Sequence, residues 1–269
     1  MPGAGNLIVE ARAALLDAVA ALASHRDSVI LVGAQAVYLR TGASNFALAE
    51  ATKDSDLVID PRDLGADPRV EEAMQRAGFM LNPTSQQPGA WLSPAGIPVD
   101  LMVPARLAGG GGRSVRIPPH DKRFARRTPG LEAAVIDYSP MTVGSLADDG
   151  RSAVLNVAGP AALLVAKLHK LGERREAPDR LNDKDAHDIF RLLAATETTD
   201  LAAATRALWV DQLSADVTEQ ALDYLETLFA APDSLGARMA GRAEEGVGQP
   251  ATVSASASLL AQDLLRELA

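Results

Sequence analysis

The chain has 269 residues, 47% apolar and 23% charged, enough to bury a sizeable core as one large domain or two modest ones. No apolar run reaches the roughly 18–20 residues of a membrane span, and with no cysteine there is no disulfide, thiolate nucleophile or zinc–sulfur site. A net charge of −9 argues against broad, non-specific nucleic-acid binding, and the four scattered histidines (His25, His120, His169, His187) offer no zinc spacing. A metal bound here is therefore expected to be a hard cation held by carboxylates.

Residues 7–24 place apolar groups at helical spacing and predict an amphipathic helix. Glu10 and Asp17 give this segment a pattern unlike the basic-then-apolar order of a signal peptide, so the expectation is a cytoplasmic protein with no membrane partner. Residues 28–32 are a β-branched run, a buried strand by composition, and residues 34–42 read as a helix stopped by Gly42. Gly33 is then the turn between strand and helix. Residues 43–52 fit either a loop or a short helix. A second strand is expected from Asp54 to Ile59, ended by Pro61, and a helix over 71–79 with Gly78 as its cap. Residues 89–94 and 97–103 read as a hairpin turning at Pro94-Ala95-Gly96. Gly109–Gly112 forms a flexible loop, and 133–138 and 152–158 look like two further strands.

From Pro160, suited to the first position of a helix, the signal is helical: 160–171, then 184–196, then an Ala/Leu-rich stretch over 200–269 holding two or three helices. The fold class is therefore α+β. A mixed α/β domain spans residues 1–157 and an all-helical domain spans 158–269.

Asp54 and Asp56 stand two apart on a strand and so share a face, while Ser55, Leu57 and Ile59 take the other. Adjacent carboxylates repel unless a cation sits between them, and Mg²⁺ (or Mn²⁺) favours a few carboxylate oxygens completed by water and phosphates. Asp100 is a third acid, within an otherwise apolar strand, where a carboxylate needs a partner. An arginine or a buried hydrogen bond would satisfy it, and so would a metal shared with Asp54 and Asp56. Gly33-Ala34 leaves backbone N–H groups at a helix start, which suits an anion and equally suits a plain tight turn. Lys167 falls within or beside an apolar stripe, where it either snorkels or points into a cleft to meet a triphosphate. Asp185 and Asp188 begin a helix, where acids stabilise the helix dipole whatever else they do. Between residues 106 and 127 stand Arg106, Arg113, Arg116, Lys122, Arg123, Arg126 and Arg127 with Asp121 the lone acid. Such a segment meets a phosphate-bearing partner or forms a solvated loop balancing nearby carboxylates.

Taken in order, LVGAQA (31–36), TKDSDLVID (52–60), VDLMV (99–103), AKLHKL (166–171) and KDAHDIFRLL (184–193) resemble the nucleotidyltransferase superfamily of DNA polymerase β type. More narrowly, they resemble the AbiEii/AbiGii-type toxin nucleotidyltransferases of toxin–antitoxin and phage-defence systems. The resemblance implies a small mixed β-sheet core followed by a helical bundle. It implies an enzyme that moves a nucleoside monophosphate from a nucleoside triphosphate to an acceptor such as RNA or tRNA, and an antitoxin partner. Asp54, Asp56 and Asp100 would hold Mg²⁺ or Mn²⁺, while Gly33, Ala34, Lys53 and Lys167 would bind nucleotide. Lys167 and Asp185 would complete the catalytic set with Asp188 as a helper, and Arg113, Arg116, Lys122, Arg123, Arg126 and Arg127 would hold RNA.

The chain departs from that pattern in two places. The turn reads Gly33-Ala34 where the family has Gly-Ser or Gly-Gly, and the stretch between Ala34 and Asp54 is longer than usual. The competing expectation is a catalytically inactive nucleotidyltransferase fold retained as a binding or regulatory module.

Overall fold

The structure is a computed structural model that describes residues 4–42 and 54–269. The undecided stretch at 43–52 and the candidate nucleotide ligand Lys53 lie outside those residues.

Helix α1 (Ala4–Ala21) leads through a 3-10 turn (Ala23–Ser28) into β1 (Val29–Val32), which is buried at every position. Four consecutive aliphatic residues suit a strand covered on both faces. Helix α2 (Gly33–Thr41) follows without a linker and ends before Gly42, whose φ of 65° only glycine adopts readily. Then come β2 (Ser55–Ile59), α3 (Val70–Arg76), β3 (Met80–Leu81), β4 (Ala90–Leu92), β5 (Pro98–Pro104), β6 (Arg126–Thr128), β7 (Tyr138–Gly144) and β8 (Ser152–Ala158). All eight strands join one sheet in the order β3-β4-β5-β2-β1-β8-β7, with β6 paired to β5. Pairing is mixed: β1 runs antiparallel to β2 and parallel to β8, while β2 and β6 run parallel to β5. The β4–β5 hairpin forms as the sequence predicts, and α1 packs across β2, β5 and β8.

Helices α4 (Pro160–Gly172), α5 (Asp183–Ala195), α6 (Thr198–Val210), α7 (Ala215–Phe229), α8 (Leu235–Arg242) and α9 (Pro250–Leu268) complete the chain. The architecture is thus α+β, a mixed sheet flanked by helices and followed by a C-terminal helical bundle. By contact density the chain divides into two compact units: one carries the whole sheet, α1 and α3, and the other carries α4–α9 and the segment Glu132–Asp137. The division passes through α2, between Gln35 and Ala36. No helix among the described residues is long and apolar enough to cross a membrane.

Two expectations are corrected. Residues 133–138 are not a strand: Glu132–Val135 form a buried 3-10 turn and β7 starts only at Tyr138. A short apolar run does not reveal its own period. Here the Asp137 carboxylate accepts a hydrogen bond from the Ala162 amide at 3.0 Å, closing the turn onto the start of α4. The C-terminal stretch holds four helices rather than two or three. α6 and α7 are separated where the Asp211 side chain accepts from the Leu213 and Ser214 amides at 2.8 and 3.2 Å, a local bond that competes with helix continuation.

Candidate active site

The sheet-bearing unit assembles its acids around the end of β1. Val32 lies opposite Asp56 in the antiparallel register, and Asp56 lies opposite Asp100 in the parallel one, so the two carboxylates stand at neighbouring positions on one face. Ser55 and Leu57 point to the opposite face and are fully buried, Ser55 donating to the Ala11 carbonyl of α1 at 3.1 Å. Asp54 directly precedes the strand and is exposed, while Asp56 is half-buried.

Gly33 closes the other side of this group. Its φ is 69°, and a Cβ placed there would fall 2.1 Å from Oδ2 of Asp56. Both backbone angle and space demand glycine, so the turn is moulded around the Asp56 carboxylate. α2 begins at this residue, so its first amides lie in the same turn.

Of the three ways to satisfy Asp100, the structure shows an arginine. Arg126 Nη2 donates to Asp100 Oδ2 at 2.9 Å and Nη1 donates to Gln87 Oε1 at 3.0 Å. The pairing follows from register. Arg126 lies opposite Met102, which shares a face with Asp100, so the guanidinium reaches across one step of β5. The Asp100 side chain is 26% exposed, so it is not the buried carboxylate that an apolar strand suggests. Among the described residues no group of three or more His, Asp or Glu side chains is placed to hold a metal ion. What remains is the Asp54–Asp56 pair beside a glycine turn. One or two carboxylates completed by substrate phosphates and water form a donor set that suits Mg²⁺.

Four of the basic residues are engaged or placed in specific ways. Arg126 is held by Asp100, and Arg127 donates to the carbonyls of Gly109 and Gly111, each at 3.1 Å. Lys122 and Arg123 help line a cavity of about 790 Å³ that also receives the acids Glu71, Glu72 and Asp121. The segment is therefore of mixed sign at its lined face rather than uniformly cationic.

The helical unit gathers its own charges. α4 carries Lys167 and Lys170, and α5 carries Asp185 and Asp188; each pair is three apart and so shares a helix face, and the two helices pack together. Lys167 Nζ meets Asp188 Oδ2 at 2.6 Å and Asp185 Oδ1 at 3.0 Å, and Lys170 Nζ meets the same Asp185 oxygen at 2.9 Å. Lys167, Asp185 and Asp188 are all buried. Burial on its own lowers the Lys167 ammonium, but the charges of Asp188 and Asp185 outweigh it and hold the pKa above the ordinary lysine range. Burial likewise raises the Asp185 carboxyl, and Lys167 and Lys170 outweigh it and hold it below the usual carboxylate range. Nearby, Arg191 lies over the Tyr38 ring at 4.7 Å, and burial followed by the charge of Asp188 pushes the Tyr38 phenol up.

The structure thus brings Gly33, Asp56 and Asp100 together with Asp54 one residue ahead of β2, and separately brings Lys167 to Asp185 and Asp188. Two further residues of this region, Arg12 and Gln35, do not stand out in the sequence. The only signal for Arg12 was a charge within the apolar pattern of the first helix, and Gln35 carried none.

A family model described as nucleotidyltransferase matches residues 10–232. The chain belongs to this nucleotidyltransferase family. No curated protein matches the sequence at a significant level. Two solved structures align over most of the chain. An antigenic nucleotidyltransferase-like protein from Paracoccidioides brasiliensis is 17% identical, covers 77% of this chain and 92% of its own, and has a TM-score of 0.37. An H. pylori protein assigned as a nucleotidyltransferase is 10% identical, covers 96% and 95%, and has a TM-score of 0.35.

Proposed function

We propose that the chain is a metal-dependent nucleotidyltransferase that moves a nucleoside monophosphate from a nucleoside triphosphate to an acceptor hydroxyl. The observation that carries this reading is the moulding of the Gly33 turn around Asp56, with Asp100 in register beside it. A glycine turn opening a helix offers N–H groups to a phosphate, and the adjacent carboxylates suit the cation that accompanies a triphosphate.

In the reaction, a bond forms between the acceptor oxygen and the α-phosphorus, the bond to the bridging oxygen breaks, and pyrophosphate leaves. Divalent metal, Mg²⁺ or Mn²⁺, supplies charge neutralisation at the phosphates and eases loss of the acceptor proton. Asp54 and Asp56 would hold it, with Asp100 as the third member of the acid set. Gly33 and Ala34 present backbone donors to the triphosphate, so the missing hydroxyl of a Gly-Ser turn removes one contact and leaves the amides. Lys53 and Lys167 are assigned to nucleotide, and Asp185 supports Lys167 through their ion pair. Catalysis of this kind is mainly positioning and charge stabilisation.

Following the likeness to AbiEii/AbiGii-type toxins, the acceptor is RNA, contacted through Arg113, Arg116, Lys122 and Arg123, with Arg126 and Arg127 shaping that surface. The physiological setting is a cytoplasmic toxin–antitoxin or phage-defence pair, with a domain of residues 1–157 for nucleotide and one of 158–269. The test is incubation with each α-labelled nucleoside triphosphate, Mg²⁺ and total RNA. Label transfer that disappears in Asp54→Ala/Asp56→Ala supports the reading; transfer unchanged in that variant refutes it.

The second reading, a catalytically inactive module, draws on the Arg126–Asp100 pair, which gives the third acid a structural partner. Under it, nucleoside triphosphates with Mg²⁺ leave the melting temperature unchanged, whereas a nucleotide site shows metal-dependent stabilisation.

A further inference from the structure

The first turn of α2 does more than leave room for Asp56. Two residues beyond Gly33, the Gln35 side chain is buried, and its Nε2 donates to Ser55 Oγ at 2.8 Å and to the Asp54 carbonyl at 3.2 Å. A third acceptor, the Ala11 carbonyl, lies farther off at 3.4 Å. Its Oε1 accepts from Arg12 Nε at 2.9 Å, and Arg12 Nη1 donates onward to the Gly144 carbonyl at 3.0 Å. Arg12 is itself buried, and no carboxylate among the described residues pairs with it. Because a guanidinium only donates, it fixes which end of the Gln35 amide faces it and so turns both amide hydrogens toward β2.

Asp54 needs such a grip. The ladder pairs of β2 begin with Ser55 opposite Val99, so Asp54 stands one residue outside the sheet register. Among the described residues, its bond from Gln35 is the one hydrogen bond made to Asp54. Two carboxylates on neighbouring positions repel, and a peptide rotation at Asp54 would swing its side chain away from Asp56. We infer that Gln35, locked by Arg12, is a positioning residue that holds the Asp54 backbone so that its carboxylate shares a cation with Asp56, and that divalent-cation affinity therefore depends on its amide. This rests on the nucleotidyltransferase reading of the acid pair. The cationic end of the chain Arg12–Gln35–Asp54 strengthens its hydrogen bonds, since a charged donor polarises the amide it holds.

The experiment is Mn²⁺ binding to the full chain, read by electron paramagnetic resonance of the unbound ion, for wild type, Gln35→Ala, Gln35→Glu and Asp56→Asn, with melting temperatures in parallel. Gln35→Glu is the informative variant. It gives Arg12 a carboxylate partner and keeps the volume, yet replaces a donor facing the Asp54 carbonyl with an acceptor. Both Gln35 variants are expected to raise the Mn²⁺ dissociation constant about 10-fold or more, the scale on which groups that orient metal ligands act. For Gln35→Glu this loss runs against the tightening that an added negative charge would otherwise bring. Thr205→Val, which removes a buried hydroxyl bond in the helical unit, serves as the destabilised control and keeps wild-type affinity. Wild-type Mn²⁺ affinity in both Gln35 variants, with only the melting temperature lowered, overturns the positioning role and leaves the acid pair intact. Wild type that binds no Mn²⁺, or binding unaffected by Asp56→Asn, shows instead that the acid pair itself is not a metal site, and both readings fall.

Discussion

Two acid clusters in this molecule look alike in sequence and differ in physics. Asp56 and Asp100 sit on neighbouring strands of the sheet with Asp54 one residue ahead of β2, all at least partly exposed, and Arg126 donates to Asp100. Asp185 and Asp188 sit between two helices, almost fully buried, with lysines bonded to both. The first cluster has room made for it by Gly33. The second is closed in by its lysines, with Arg174 3.8 Å from Asp185 and Oδ1 of Asp188 buried without a hydrogen-bond partner among the described residues. Acids in an apolar context therefore read alike in sequence, and only the burial and partners that the fold brings to them tell one cluster from the other.

The largest expected effect breaks the comparison on its open side. Asp54→Ala/Asp56→Ala should lower nucleotide transfer by at least about a thousandfold, the scale set by losing preorganised electrostatic groups. The melting temperature should stay the same or rise, because removing neighbouring like charges relieves repulsion. A fall in melting temperature as large as the loss of activity would mean that these acids serve the fold.

On the closed side the expectation reverses. Lys167→Met leaves Asp185 and Asp188 buried and short of their shared cation, which should cost about 3–5 kcal/mol of stability in denaturant unfolding. Neutralising all three groups, with Lys167→Met, Asp185→Asn and Asp188→Asn together, should recover most of that loss, since a buried pair replaced as a unit is often nearly neutral. Failure of the triple variant to recover would show that the cluster contributes more than compensated charge.

The same cluster carries a pH signature. The Asp185 carboxyl is held below its ordinary range, so its contribution is present above the unfolded pKa and is lost as pH falls through the folded one. Lys167 is held above its ordinary range, so its contribution is present below the unfolded lysine value and fades only at strongly alkaline pH. Wild type should therefore lose melting temperature more steeply than the triple neutral variant from about pH 5 downward. Parallel curves for the two proteins over that range would count against the assigned charge states.

Much of the first cluster could be read from the chain. A β-branched run, a glycine and a helix signal are local patterns, and so is the alternation that sets Asp54 and Asp56 apart from Ser55 and Leu57. Partners distant in sequence were out of reach. Nothing near Asp100 announces Arg126, since that contact depends on β6 pairing with β5 through a loop whose own pattern is glycine and charge. Lys167 was visible as an oddity, but its meaning required knowing that α4 and α5 pack with their three-apart pairs in register. Gln35 was invisible because an amide in a helix's first turn has no sequence signature. The failed strand at 133–138 and the undercounted C-terminal helices share another cause. A side chain bonds to an amide that composition does not reveal, Asp137 to Ala162 at the start of α4 and Asp211 to Leu213 between α6 and α7.

The smallest expected effect sharpens the contrast between the clusters at the one place where they resemble each other, the Arg126–Asp100 pair. Both of its side chains are partly solvated, 20% and 26% exposed, so Arg126→Ala should change stability by only about 0–1 kcal/mol, unlike Lys167→Met. Its influence should fall on ligand binding instead. The guanidinium places a positive charge beside Asp100, and so near Asp56, where it opposes an arriving cation. Removing it should tighten Mn²⁺ binding severalfold at low ionic strength, and the gain should shrink as salt screens the lost repulsion. Weaker Mn²⁺ binding in Arg126→Ala would show instead that the arginine orients Asp100 for the metal, and the two clusters would then be alike in needing their cations to hold their acids in place.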